Sequence, residues 1–96
     1  MKGYWIILGS DILDAESQQE YGRLWVSIGE KYGATLKVLG EDALKESLHS
    51  SRVIAVEFAS YADAKACYED PAYVKAKEFA VRASRRELII IEGEIV

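Results

Sequence analysis

Glu57 is the side chain best suited to chemistry in this 96-residue chain, because it interrupts an apolar run and shares a strand face with Val53 and Ala55. A carboxylate beneath a cleft has its pKa raised by desolvation, which is how a general acid or base is made. The plainer role is an ion pair with Arg52 or Arg82, since buried charges are usually paired. His49 is the one side chain with an unperturbed pKa near neutrality and so the default proton shuttle, although a polar loop position also suits an exposed histidine without a role. Arg82 could hold an anionic ligand or belong to a solvated helix face. Cys67, the single cysteine, lies on an alanine-rich helix side and reads as a small core filler.

Aromatic residues form the second group. Six tyrosines, two tryptophans and two phenylalanines are many for this length, and each buried phenol needs a hydrogen-bond partner. Tyr4, Tyr21, Trp25 and Tyr68, with Glu57 at the edge, are expected to wall a cleft between helices and sheet that suits a small, planar, partly polar molecule. The alternative is that these side chains fill the core. No glycine-rich phosphate loop follows a strand, and one histidine with one cysteine cannot build a closed zinc site. Neither a metal nor a nucleotide cofactor is expected.

These residues must be positioned by a short series of elements. The run from Lys2 to Gly9 is aromatic and β-branched, a strand stopped by Gly9-Ser10-Asp11. Tyr21, Leu24, Trp25, Ile28 and Tyr32 then recur at helical spacing, with Asp14 as N-cap and Gly33 as the stop. Thr35 to Leu39 is a second strand, joined through a polar segment, Gly40 to Ser51, to the strongest strand, Arg52 to Phe58. Ser60 caps a helix carrying Tyr61, Ala64, Cys67 and Tyr68 on its apolar side. Asp70-Pro71 restarts a second helical piece, since proline at the first helical position loses nothing. Leu88 to Ile91 closes the chain as a strand.

The order is β-α-β-β-α-β with a broken second helix, which predicts an α+β, ferredoxin-like sandwich over a single domain, residues 1–96. Three strands are apolar on both faces, yet two helices cover only one. A second copy of the sheet is the simplest cover, so a homodimer through the sheet faces is expected. Half the residues are hydrophobic, 29% are charged and the formal net charge is −4, a globular balance with no electrostatic reason to approach nucleic acid or anionic lipid. The lone cysteine and the shortness of the apolar run near the start point to a cytoplasmic protein.

Gly3-Tyr4-Trp5, Lys31-Tyr32-Gly33, Arg52 through Glu57-Phe58, Ala64, Tyr68, Pro71-x-Tyr73 and Glu92-Gly93 fall in an order that resembles the dimeric α+β-barrel proteins catalogued as domain of unknown function 1330. The likeness spans nearly the whole chain. Two positions depart from the family's pattern, Ala34 where a second glycine is usual and Gly40-Glu41 where a glycine pair is usual. The resemblance implies a ferredoxin-like subunit and a homodimer but no established activity; relatives by fold include cofactor-free monooxygenases, muconolactone isomerases and haem-dependent peroxidases.

The function expected is therefore binding of a small organic molecule between helices and sheet. If there is a reaction, proton-transfer chemistry fits, either isomerisation or cofactor-independent oxygenation, with Glu57 or His49 moving the proton and tyrosines orienting the substrate. Haem binding would have only His49 as axial ligand. The competing reading is a structural or interaction module, a dimer whose clefts are merely packing. A hollow rather than filled tyrosine-lined space separates the two.

Overall fold

The computed structural model describes residues 1–94. The strands are β1 (Gly3–Gly9), β2 (Thr35–Leu39), β3 (Arg52–Phe58) and β4 (Arg86–Glu92); the helices are α1 (Ala15–Lys31), α2 (Tyr61–Glu69) and α3 (Pro71–Ala83). β4 thus begins two residues before the apolar run that signalled it. The segment between β2 and β3 holds one short 3₁₀ turn, Glu41–Ala43. The four strands form an antiparallel sheet in the order β2-β3-β1-β4.

Local chemistry sets the helix boundaries. Asp14 accepts from the Ser17 N–H, Ser60 from the Asp63 N–H and Asp70 from the Ala72 N–H, so each helix start is capped by a side-chain oxygen. Gly33, at φ +62°, turns the chain from α1 into β2 in a region where a Cβ would be strained. Gly3 is required for a different reason. A Cβ there would stand 2.6 Å from the Ser60 carbonyl oxygen and the Tyr61 Cα, backbone atoms that cannot swing aside.

All three helices cover one face of the sheet. Trp5, Ile7, Val56 and Phe58 point to that side and join Ile28, Ala64, Cys67, Tyr73 and Ala76 in the core. Trp5 is its centre: the ring lies 4.8–5.8 Å from those of Trp25, Phe58, Tyr68 and Tyr73, and its indole N–H donates to the Ala64 carbonyl at 2.9 Å. The opposite face carries Tyr4, Ile6, Leu8, Ala55, Ile89 and Ile91, and Ile89 is 56% exposed there.

Asp70 ties the helices together. Besides capping α3, its carboxylate accepts from Lys31 Nζ at 2.7 Å and Tyr32 Oη at 2.6 Å, both at the end of α1. The Lys31 bond first, and the Tyr32 bond second, hold the Asp70 carboxyl well below the usual carboxylate range. Because the folded pKa is depressed below an unfolded value of about 3.9, the stabilisation is complete above that pH and is lost as pH falls toward the folded value. Asp70→Asn keeps the cap but removes the charge. We expect it to lower the thermal midpoint near neutrality, with a gap to wild type that narrows below a pH of about 3.9; melts across this range check it, and a gap independent of pH would exclude the charge.

Candidate functional site

α1 packs chiefly on α3, and its backbone stands off the sheet. Bulky side chains bridge the gap incompletely. Between α1 and the sheet lies a cavity of about 150 Å³, walled by Trp5, Tyr21 and Trp25 and floored by Ile7, Ile54 and Val56. Gln18, Gly22 and Leu36 also border it. Gly22 is exposed in the middle of α1, and a Cβ there would meet nothing within 4 Å. A mid-helix glycine costs about 0.5–1 kcal/mol relative to alanine, and no close packing requires this one. What its missing side chain provides is room at the cavity.

The other end of the cavity is basic. Arg52 and Arg86 both line it, and the strand register explains why: Gly9 of β1 is paired with Arg52 on one side and with Arg86 on the other. A Cβ at Gly9 would fall 2.7 Å from Arg52 Nη2, so glycine leaves the space that the guanidinium occupies. Arg52 donates from Nε to the Ser10 carbonyl at 2.9 Å and from Nη2 to Ser84 Oγ at 3.0 Å. Arg86 lies over the Tyr21 ring, 5.2 Å from its centroid, and donates to Tyr73 Oη at 3.3 Å, which stands 3.1 Å from Tyr21 Oη. Burial, with Tyr21 next in weight, drives the Tyr73 hydroxyl far above the usual phenol range, so it stays protonated.

The expected cleft is not assembled as the sequence suggested. Tyr21 and Trp25 line the cavity, but Tyr4 and Glu57 face the opposite side of the sheet, where they form a cross-strand pair. Trp5, the neighbour of Tyr4, takes its place, as strand alternation requires. Tyr68 is on the helix side but lies beyond Tyr73, in a smaller hollow under Lys77. Glu57 is also not a carboxyl with a raised pKa. It accepts from Lys37 Nζ at 3.2 Å and pairs with Lys2 Nζ at 3.3 Å, and these contacts, Lys37 first, lower its pKa. Its ion-pair partners are lysines, not Arg52 or Arg82.

His49 is exposed in the loop before β3, near Leu8 and Glu87, outside the cavity. Arg82 is exposed on α3, its guanidinium 5.0 Å from the Phe79 ring centroid. Cys67 is buried, and desolvation pushes its thiol up to about 12, so it is not a nucleophile near neutral pH. The sequence reading missed Arg86, Gly22, Gln18 and Tyr73 and gave Arg52 the wrong partner. The available signal was parity: Arg52, Ile54 and Val56 alternate along one strand face, and Arg86, Leu88 and Ile90 along another.

The sequence profile of the Domain of unknown function (DUF1330) family matches residues 2–94. The chain belongs to the DUF1330 family. No protein of curated function matches it. The DUF1330 fold is shared with a dimeric ferredoxin-like protein of unknown function from Jannaschia sp. CCS1, at 14% identity and TM-score 0.74 over 97% of this chain and 100% of that one. A protein of unknown function from Rhodopseudomonas palustris is similar at 18% identity and TM-score 0.67, covering 99% and 84%. SnoaB, a cofactor-independent oxygenase from Streptomyces nogalater, is similar at 9% identity and TM-score 0.69, covering 99% and 95%. At these identities the likeness concerns the fold. Among the described residues no helix is long and apolar enough to cross a membrane.

Proposed function

We propose that this DUF1330 protein binds a small planar organic molecule in the cavity between α1 and the sheet, and that it does so as a dimer formed through the open sheet faces. The observation that carries the binding reading is that the aromatic-walled space is hollow, at about 150 Å³, and not filled by its own side chains. A cavity near this size admits a single aromatic ring. An apolar body with a few convergent polar groups at one end is also the usual build of a small-molecule site. The apolar sheet face that no helix covers, on which Ile89 is 56% exposed, together with the description of the Jannaschia protein as dimeric, supports the dimer.

Catalysis on the bound molecule is the enzymatic extension of this reading. The fold relative that is a cofactor-independent oxygenase gives it a precedent by analogy alone. Glu57 and His49 lie outside the cavity, so proton transfer by either has no geometric support; the polar groups at hand are Tyr21, Gln18 and the two arginines.

The test is a screen of single-ring aromatic fragments by amide chemical-shift mapping. Shifts clustering at Gly22, Trp25 and Ile54 are expected. Gly22→Leu should abolish them while preserving the fold, because a leucine there is aimed at open space. Fragments that bind without perturbing these residues, or no binding at all, would favour the interaction module.

A further inference from the structure

The arginine pair carries the cavity's chemistry further. Arg52 and Arg86 flank Gly9 on neighbouring strands, so their Cα atoms are about 10 Å apart, two interstrand spacings, and both side chains reach the same cavity. Both are half-buried, and among the described residues neither makes an ion pair. This holds in a chain with 16 acidic residues and a net negative charge. Lys2, Arg23, Lys31 and Lys37 do find carboxylates. Asp11 acts on Arg52 from beyond ion-pair distance, and its own carboxylate accepts from Ser51 Oγ at 2.5 Å.

Each guanidinium has five N–H groups. Arg52 commits Nε and one Nη2 hydrogen to its scaffold and Arg86 one Nη2 hydrogen, which leaves planar donor edges of both for a third party. Two like charges with spare donors beside an apolar slot are the complement of an anion. Burial, and next the neighbouring Arg86, lower the pKa of Arg52, a repulsion that an anion between them would relieve.

We propose that the occupant of the cavity is a planar carboxylate, with its ring or conjugated body between Trp25 and the strand floor and its carboxylate held by Arg52 and Arg86. This rests on the binding reading above and specifies its ligand class. A carboxylate fits better than a phosphate ester because it is the smaller anion beside a cavity that holds about one ring, and a planar guanidinium fork matches a planar anion.

Benzoate, its neutral isostere benzamide, and phenylphosphonate are the probes, titrated against the full chain by amide chemical shifts and by tryptophan fluorescence. Benzoate should bind at the cavity about tenfold or more tightly than benzamide. Arg86→Gln should remove that preference, weakening benzoate about tenfold while benzamide binds as before. Arg52→Gln should act alike; because Arg52 also braces Ser10 and Ser84, Arg86→Gln decides if that variant fails to fold. Equal binding of benzoate and benzamide at the cavity would overturn the carboxylate and leave the binding reading standing. Phenylphosphonate binding more tightly than benzoate would also overturn it, in favour of a phosphorylated ligand. Absence of all three from the cavity would remove both readings.

Discussion

Trp5→Ala is expected to lower the stability of the domain by about 3–5 kcal/mol, the usual cost of truncating a buried aromatic side chain. Trp5 is fully buried, and four aromatic rings lie against it. Truncation removes those contacts, enlarges a space already hollow on the α1 side, and deprives the Ala64 carbonyl of its indole donor. Small domains hold about 5–15 kcal/mol in total, so the variant should be marginally folded or unfolded at 37 °C. Trp5→Phe supplies the graded comparison. It keeps a ring in the core and loses the hydrogen bond, and should cost about 1–3 kcal/mol. Urea unfolding of the two variants measures both. A Trp5→Ala loss below that of Trp5→Phe would mean that α1 and α2 collapse onto the space, and that Trp5 does not set the distance between α1 and the sheet.

The same residue shows what was legible in the sequence. Strand periodicity fixed which residues of β3 share a face, and the caps Asp14, Ser60 and Asp70 are where side-chain chemistry demanded them. Parity also requires Tyr4 and Trp5 to point opposite ways. It does not say which of the two meets the helices, because both are aromatic and β1 is apolar on both faces. Register decides it: Trp5 lies opposite Val56 and Tyr4 opposite Glu57, and Val56 packs in the core. Glu57 stands out in sequence because it interrupts an apolar strand, which does not say which face it is on, and its lysine partners are invisible there because Lys2 and Lys37 sit on other strands or at their ends. Arg52 and Arg86 lie 34 positions apart and meet only because both pair with Gly9. No local pattern carries that fact. It exists only once the strand order is known.

The open face yields the second large effect. Row by row across β2, β3, β1 and β4, Lys37, Ala55, Ile6 and Ile89 lie side by side on it, with Ile91 and Leu8 in adjoining rows. If each partner buries about 800 Å² here, the transfer free energy is about 20 kcal/mol at roughly 25 cal/mol per Å². Association and ordering costs offset most of this, so the surplus is small enough for one residue to reverse. In a two-fold interface every substitution appears twice. Ile89→Arg would therefore bring two bulky cations into the contact, each of which must lose hydration there. The isolated subunit tolerates it, because Ile89 is 56% exposed there. Sedimentation velocity should find the wild-type chain dimeric and Ile89→Arg monomeric, with the thermal midpoint of the variant lower and no longer dependent on protein concentration. Val74→Arg, on the exposed side of α3, should leave the dimer intact. A dimer that survives Ile89→Arg but is lost in Val74→Arg would move the interface to the helices. The apolar sheet face would then lack the partner that its composition calls for.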